Sequence, residues 1–389
     1  MSSCHYEHGQ EKVPVLLDSA VRLISGFGYL RSRQPLVPVL LRFLLEEAQE
    51  EDKVWSLSAP FPLWSLLNAG PKRIWHKFQI FTAMKKILVT GSKGLLGQKL
   101  TELILSSNRA QLIATSKGRN RYPAEEGYVY AEMDICDTPR MRDVIQRFSP
   151  DVIIHTAAVT NVDICEQDKD LCRIMNVEAV RSLSVICEEN DIHLIHLSTD
   201  FVFDGELGPY SEDANYSPVS VYGESKAESE RILFNSLCRW TIVRTILVYG
   251  ITTDMSRSNI VLWAKSALEK GEQLNIVADQ WRMPTLAEDL AEACLLAAER
   301  EALGIYHISG KDMMSVYELV QHVAEFWHLN SSLMKPVSSE SLNQTAKRPK
   351  RTGFVLDKAI ADLGYQPHSF REGLTILDAQ IKKRDDRYS

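Results

Sequence analysis

The fold of this chain is decided by the stretch Lys86-Ile-Leu-Val-Thr-Gly91-Ser-Lys-Gly94-Leu-Leu-Gly97-Gln-Lys-Leu100. A short apolar run leads into three glycines and an amphipathic pattern follows them, which predicts a buried parallel strand and then a helix. Gly91 suits a tight turn, Gly94 a close approach of a pyrophosphate to the backbone, and Gly97 close helix packing. The helix N-terminus offers N–H groups and a positive dipole end to phosphates. The stretch therefore predicts a dinucleotide site, the alternative being a glycine-rich turn without a ligand.

Composition places few limits on the rest of the chain. Its 389 residues suffice for two domains, or for one large α/β domain with an appendage. With 45% hydrophobic and 24% charged residues, the composition is that of an ordinary globular protein. The net charge of -7 gives no electrostatic reason to expect nucleic acid or an anionic membrane as a partner. No apolar run is long enough to predict a transmembrane helix.

The seven cysteines are scattered, odd in number and never arranged as C-x-x-C. This pattern predicts reduced, mostly buried thiols in a cytoplasmic protein, and no metal site.

Residues 1–83 do not continue the pattern of the later chain. They lack persistent helix or sheet periodicity, and their polar start differs from a secretory signal. Met84 stands directly before the first predicted strand. We interpret 1–83 as a poorly ordered N-terminal extension, in the extreme case an upstream reading-frame artefact. The alternative is a short helical docking arm on residues 13–49.

The loop after the second predicted strand, 111–116, discriminates the adenosine ribose in dinucleotide-binding folds. An acidic residue there would accept hydrogen bonds from the 2′-hydroxyl and select NAD. This chain instead carries Ser116, Lys117, Arg119 and Arg121. Because cations suit a 2′-phosphate, the loop predicts NADP(H) as the preferred cofactor. NAD(H) and a merely solvated basic loop remain the alternatives.

Two further strand ends are predicted to face the crevice in which the dinucleotide would bind. The third strand, 128–133, ends in Asp134 and Ile135, which are placed to contact the adenine edge. The fourth strand, 151–155, runs into small residues that leave room for a ligand, or for close packing of the next helix. These small residues are Ala157, Ala158 and Val159.

A hydroxyl-rich strand end and a tyrosine–lysine pair predict acid–base chemistry. The fifth strand, 192–197, leads into Ser198-Thr199-Asp200. Downstream, Tyr222 and Lys226 stand four residues apart, so on a helix they share a face. An ammonium beside a phenol favours the ionised form and lowers the phenol's pKa. Such a pair is common by chance, but here it follows the glycine turn in a suitable order.

Three motifs together resemble a known family: Thr90-Gly-x-x-Gly-x-x-Gly97, Ser198-Thr-Asp-Phe-Val-Phe-Asp-Gly205 and Tyr222-Gly-x-x-Lys226. They resemble the extended short-chain dehydrogenase/reductases, and more closely the dTDP-4-dehydrorhamnose reductase-like family. The resemblance covers roughly residues 84–385. It implies an α/β Rossmann-type, doubly wound parallel sheet at 84–250 and a smaller C-terminal substrate-binding region at 251–389. In that second region the pattern predicts short strands at 273–277 and 304–308.

The resemblance also implies roles for individual residues. Tyr222 would protonate a ketone oxygen, and Lys226 would hold the nicotinamide ribose and lower the pKa of the phenol. Thr199, with Ser198 as a neighbouring candidate, would hydrogen-bond the carbonyl, and Asn176 would support the lysine through water. The pyrophosphate would be lined by Gly91, Ser92, Gly94, Leu95 and Gly97. The adenosine and ribose would be lined by Ala157, Ala158 and Val159.

The implied activity is the NADPH-dependent reduction of a 4-keto nucleotide sugar, with a homodimer left open. Two segments depart from the reductases: Trp281-Arg-Met-Pro284 replaces a small Gly-Ser-Pro element, and Arg348-Pro-Lys-Arg-Thr352 replaces Arg-Pro-Asn-Ser. An epimerase or a 4,6-dehydratase is the alternative enzyme, and the dehydratase is disfavoured because Phe201 stands where those enzymes carry a glutamate. The second candidate is a non-catalytic, dinucleotide-binding regulatory subunit. It would resemble the methionine adenosyltransferase β subunit, to which the Arg-x-Pro-Thr element is more similar.

Overall fold

A computed structural model describes residues 84–388, apart from 125, 254–258 and 343. The interpretation of 1–83 as a poorly ordered extension therefore lies outside the described residues. Within the described part of the chain, no helix is both long and apolar enough to cross a membrane.

A seven-stranded sheet carries the candidate site, in the order β11-β6-β5-β4-β1-β2-β3. Every neighbouring pair in it is parallel. The predicted Rossmann-type sheet is confirmed, and the carboxyl ends of its strands meet at one edge. The strands are β1 Lys86–Thr90, β2 Gln111–Ser116, β3 Val129–Glu132, β4 Val152–His155, β5 His193–Thr199, β6 Trp240–Thr245 and β11 Gly304–Ile308.

Helices cover both faces of this sheet, as the alternation of side chains along a strand requires. In β1, Ile87 and Val89 pack with α1 and α8, whereas Leu88 packs with α2 and α5 on the opposite face. All three side chains are fully buried. The helices are α1 Leu95–Ser107, α2 Thr138–Phe148, α3 Val162–Gln167, α4 Lys169–Arg173, α5 Ala179–Glu189, α6 Val221–Phe234 and α8 Ala287–Glu299.

The remaining elements, apart from helix α10 at Asp357–Leu363, build a smaller region with its own apolar cluster, whereas α10 packs against β11 of the large sheet and against α8. Its strands form three two-stranded pairs: β7 with β10, β8 with β13 and β9 with β12. The bounds are β7 Val248–Tyr249, α7 Ile260–Glu269, β8 Leu274–Val277, β9 Trp281–Arg282, β10 Thr285–Leu286, β12 Met314–Ser315, α9 Val316–Phe326, β13 Met334–Val337, α10 Asp357–Leu363 and α11 Phe370–Tyr388.

The division of the chain at residue 250 is less simple than the sequence suggests. The strand predicted at 304–308 exists, but it pairs with β6 and extends the large sheet. Helix α8 likewise packs on α1. The large sheet therefore takes in chain from both sides of residue 250, because α8 and β11 continue its alternation of helix and strand.

The expectation that all cysteines are free thiols is wrong for one pair. Cys165 in α3 and Cys172 in α4 form a disulfide, with Cα atoms 5.2 Å apart. The spacing of seven residues is not a recognisable motif, and the turn between two short helices brings the two side chains together. Cys136, Cys187, Cys238 and Cys294 are free.

Candidate active site

The glycine turn after β1 is shaped by close backbone contacts. Gly91 has φ +68°, and a Cβ there would lie 2.8 Å from the backbone nitrogen of Ala157. A Cβ on Gly97 would lie 2.4 Å from the carbonyl oxygen of Gly91. The third glycine is therefore required by the turn itself. Gly94 is the N-cap of α1, and its N–H donates to the Gly91 carbonyl at 2.8 Å.

The turn has the properties of a pyrophosphate cradle. Ser92 is buried, and its hydroxyl has no hydrogen-bond partner among the described residues. It lies just before the N-terminus of the 13-residue helix α1, where the first N–H groups lack intrahelical acceptors. A buried hydroxyl and helix N–H donors beside a surface that admits no Cβ fit the diphosphate of a dinucleotide. Leu95 is the first residue of this helix.

The predicted ribose and adenine residues at the ends of β2 and β3 contact one another. The ammonium of Lys117 pairs with Asp134 at 2.9 Å. The N–H of Cys136, together with Lys117, holds the pKa of Asp134 below its usual range. Ile135 is buried in the apolar cluster on the α2 side of the sheet, so only its backbone is available to the crevice. Arg119 and Arg121 are exposed.

One cation beside the end of β2 was missed by sequence reasoning. Lys93, inside the glycine turn, donates from Nζ to the carbonyl of Lys117. Burial and the nearby charge of Arg121 lower the pKa of Lys93, whereas Glu132 raises it. The carboxylate of Glu132 accepts the N–H of Gly118 at 2.9 Å. The position of Lys93 between two glycines of the motif was the available signal. The Ser116 hydroxyl lies 2.9 Å from the phenol oxygen of Tyr130.

Asn176 fastens the end of β4 to the helix that carries Tyr222. It lies in a π-helical turn, Ile174–Glu178, between α4 and α5, a distortion often found at functional sites. Its Oδ1 accepts the N–H of Val159 at 2.9 Å, and its Nδ2 donates to the Val159 carbonyl at 3.0 Å. Nδ2 also lies 3.1 Å from the hydroxyl of Ser225 in α6. Asn176 thereby sets the position of the Ala157–Ala158–Val159 backbone.

Tyr222 is placed by the tight contact between α6 and the turn after β5. Helix α6 is capped by Ser220, whose hydroxyl accepts the N–H of Gly223 at 3.2 Å. A Cβ on Gly223 would lie 2.2 Å from the Phe201 carbonyl, so only glycine permits this approach. Tyr222 is buried, and its ring meets that of Phe201 edge-on at 5.8 Å. The helix register thus brings the phenol to the end of β5.

The pKa of the Tyr222 phenol is shifted in the direction opposite to the prediction. Burial raises the pKa of Tyr222 to about 12, with the hydroxyl of Thr199 opposing the shift and the charge of Asp200 adding to it. The ammonium of Lys226 lies instead 3.1 Å from Nε2 of His196. The predicted lowering of the phenol's pKa by Lys226 is therefore wrong for this structure, because the ammonium is directed into the core.

The two predicted hydroxyls at the end of β5 have different partners. Thr199 donates to Oδ1 of Asp200 at 3.0 Å and accepts the N–H of Phe201 at 3.2 Å. Ser198 donates to Glu230, a buried carboxylate that pairs with Arg244 at 2.7 Å. Ser198 is thus engaged in a buried ion-pair network, which leaves Thr199 as the hydroxyl beside the phenol.

The structure adds residues that sequence reasoning did not place at the site. Asp200 is buried beside Thr199, and it accepts the hydroxyl of Thr352 and faces Arg282 at 3.8 Å. His196 holds the ammonium of Lys226. The departure from the reductase pattern at Arg282 was a signal, but its partner, 82 positions earlier in the chain, could not be read from the sequence.

This arrangement defines a class of protein: a Rossmann-type dinucleotide-binding fold with a Tyr-Lys helix, as in the extended short-chain dehydrogenase/reductases. The chain belongs to the RmlD substrate binding domain family, whose sequence profile matches residues 84–382. The resemblance drawn from the motifs is confirmed.

Similar proteins fall into two groups. The chain is 30% identical to the dTDP-4-dehydrorhamnose reductase of Aggregatibacter actinomycetemcomitans, over 76% of this chain and 99% of that protein. It is also 30% identical to methionine adenosyltransferase 2 subunit beta of Danio rerio, over 70% of this chain and 83% of that protein. Among solved structures, dTDP-4-dehydrorhamnose reductase of Bacillus anthracis in complex with NADP is 26% identical with a TM-score of 0.66. That alignment covers 77% of this chain and 100% of the other.

Proposed function

We propose that this protein is an NADPH-dependent reductase of a 4-keto nucleotide sugar. The observation that carries the proposal is the buried phenol of Tyr222, which lies against Phe201 and beside Thr199 at the carboxyl end of β5. The glycine turn after β1 lies at the same edge of the sheet. A proton donor and a dinucleotide cradle on one edge are what ketone reduction requires. The likeness to a reductase in complex with NADP supports the same activity.

The chain's residues suit proton donation in the direction of reduction. The bound dinucleotide supplies the hydride. Tyr222, with its pKa raised to about 12, keeps its proton at neutral pH and can give it to the ketone oxygen. Thr199 lies beside the phenol and directs its own proton to Asp200. Lys226, four residues after Tyr222 in α6, is the cation proposed to bind the nicotinamide ribose. Its ammonium contacts His196 in this structure.

The preference for NADPH rests on three cations around the β2 end. Lys93 in the glycine turn and the exposed Arg119 and Arg121 after β2 are the cations available for a 2′-phosphate, and Arg121 is near enough to Lys93 to lower its pKa. Lys117 is already paired with Asp134. Glu132 lies in the same place, but its carboxylate is occupied by the N–H of Gly118. The balance of charge favours a phosphate over a ribose hydroxyl.

A second candidate function is a dinucleotide-binding subunit without turnover. One contact favours it: the ammonium of Lys226 is directed to His196 in the core. Several relatives bear the name methionine adenosyltransferase 2 subunit beta. The two candidates differ in whether NADPH is consumed.

Stopped-flow absorbance of NADPH with dTDP-, UDP- and GDP-linked 4-keto sugars tests the proposal. A reductase consumes NADPH, and Tyr222→Phe loses about 10² to 10⁴ in turnover with NADPH affinity retained. Tyr317→Phe, a half-buried phenol in α9, is the matched control and should keep full activity. Oxidation with none of the sugars, or unchanged turnover in Tyr222→Phe, contradicts the proposal.

A further inference from the structure

Three segments distant in sequence converge on the carboxylate of Asp200. Thr199, at the end of β5, donates to Oδ1 at 3.0 Å. Thr352, in the segment after β13, donates to Oδ2. Arg282, in β9, places Nε 3.8 Å from the same oxygen. Asp200 is 2% exposed and Arg282 is 4% exposed, so this is a buried ion pair.

The guanidinium of Arg282 also forms hydrogen bonds with the segment that contains Pro349. Its Nη2 donates to the carbonyl of Pro349 at 2.7 Å, and its Nη1 donates to the carbonyl of Trp281 at 2.7 Å. The planar fork of arginine makes such simultaneous bonds, which lysine cannot reproduce. Arg282 also lies over the ring of Phe201, 5.7 Å from its centre. Phe201 in turn contacts Tyr222.

The charges of this pair depend on each other. Burial raises the pKa of Asp200, whereas Arg282 and the hydroxyls of Thr352 and Thr199 lower it. Burial lowers the pKa of Arg282, Asp200 raises it, and nearby Arg348 lowers it further. Arg348 is itself paired with Asp163 at 2.6 Å. A buried charge left without its partner is strongly unfavourable, so Arg282 is what keeps Asp200 ionised.

An ionised Asp200 has a direct consequence for the phenol. A carboxylate accepts hydrogen bonds only, so Thr199 must give its single proton to Asp200. With that proton directed to Asp200, Thr199 cannot donate it to the phenolate of Tyr222, a hydrogen bond that would lower the pKa of Tyr222. The negative charge of Asp200 also raises the pKa of Tyr222.

We propose that Arg282 is a positioning residue for ketone reduction, acting through Asp200 to orient the Thr199 hydroxyl beside the Tyr222 phenol. This role rests on the proposed reductase function. It explains why a bulky cation stands at Trp281-Arg282-Met283, beside the catalytic tyrosine. The charge is neutralised by Asp200 and does not face the substrate.

The ionisation of Tyr222 gives a test that does not depend on turnover. Difluorotyrosine in place of Tyr222 makes the phenol more acidic, and fluorine NMR follows its titration in the full-length protein. The midpoint of this titration is the pH at which half of the phenol is ionised. It should be highest in the otherwise unchanged protein and lowest in Asp200→Asn, where Arg282 is left unpaired. The double variant Asp200→Asn with Arg282→Met should fall between them. Asp200→Asn should shift the midpoint down by about one unit or more.

The same variants separate positioning from a purely structural role. If the pair only stabilises the fold, thermal stability falls in each single variant and returns in the double variant, while the fluorine midpoint stays unmoved. That result overturns the proposal. Arg109→Met, which removes an arginine paired with Glu292 and Glu299 on the surface, is the matched control and should leave the midpoint unchanged. NADPH affinity checks that each variant is folded.

Turnover supplies the second readout. Arg282→Met should lower kcat at least tenfold with unchanged NADPH affinity, and Arg282→Lys should recover part of it by restoring the charge. An unaffected kcat in Arg282→Met would refute the positioning role. If the parent protein reduces no keto sugar, the proposed function fails, and the order of the fluorine midpoints still decides whether the pair acts on Tyr222.

Discussion

The ammonium of Lys226 lies 3.1 Å from Nε2 of His196, inside the core and below the site. Both residues are buried, and burial lowers the pKa of Lys226 to about 8, with Glu230 opposing the shift. Burial and the charge of Lys226 also hold the pKa of His196 well below its usual value. His196 is therefore a neutral acceptor, and the charge of Lys226 changes within the range of ordinary measurements.

NADPH affinity should consequently fall as pH rises through about 8. The ammonium form of Lys226 can donate to the ribose and the neutral amine binds less well, so affinity is full below the pKa and is lost above it. If only the ammonium form binds, the dissociation constant rises about tenfold between pH ~7 and ~9. Fluorescence titration with NADPH measures this dissociation constant at each pH. In Lys226→Met the dependence should disappear, and a pH-independent parent would contradict the assignment.

His196→Leu should move this pH dependence to lower pH. Without the imidazole acceptor, the buried ammonium loses its hydrogen bond and deprotonates more readily. His193→Gln is the matched control, since His193 is buried on the same strand but contacts Thr241. An identical midpoint for the parent and His196→Leu would show that His196 does not hold Lys226.

Cofactor selectivity should depend on Lys93 more than on Lys117. We expect Lys93→Ala to narrow the ratio of NADPH to NADH affinity by about tenfold, the loss of one charge-assisted hydrogen bond. Arg119→Ala and Arg121→Ala should each act in the same direction. Lys117→Ala should change the ratio less, because Lys117 is paired with Asp134. Isothermal titration calorimetry with NADPH and with NADH measures this ratio in each variant. Equal affinities for the two cofactors in the intact protein would refute the preference for NADPH.

Asn176→Ala should weaken dinucleotide binding without removing a ligand contact. It leaves the N–H and C=O of Val159 without their partners, and each unsatisfied buried group costs about 1–3 kcal/mol. Asn190→Ala is the comparison, since the side-chain amide of Asn190 donates to the carbonyl of Ile186 at the end of α5. Denaturant melts and NADPH titrations should both show the larger effect at Asn176. Equal effects of the two substitutions would indicate that Asn176 has no special role.

Gly97→Ala should be among the more damaging small substitutions. Its Cβ would lie 2.4 Å from the carbonyl of Gly91, so the turn must shift at a cost of about 1–3 kcal/mol. In Gly271→Ala the new Cβ meets open space, which isolates the cost of a positive φ, about 1–2 kcal/mol. Free energies of unfolding and NADPH affinity should both fall for Gly97→Ala, whereas Gly271→Ala should leave the affinity intact. A wild-type affinity in Gly97→Ala would contradict the proposed cradle.

Local patterns were sufficient to predict the core of this fold. The strand–glycine–helix stretch at 86–100, the apolar strands and the four-residue spacing of Tyr222 and Lys226 depend on neighbours along the chain. The structure confirms the parallel sheet, and it brings Tyr222 to the Thr199 strand end as the motifs predict. These features are legible in the sequence because backbone geometry repeats at fixed spacings of two or 3.6 residues.

The electrostatics of the site depended on contacts between distant segments. Packing alone directs Lys226 to His196, joins Cys165 to Cys172, adds β11 to the large sheet and brings Arg282 and Thr352 to Asp200. Thr352 and Asp200 are 152 positions apart. No spacing along the chain records which buried charge meets which partner, because that depends on how separate elements pack. The pKa of Tyr222 is raised by its burial and by the neighbouring charge of Asp200, so its direction became visible only in three dimensions.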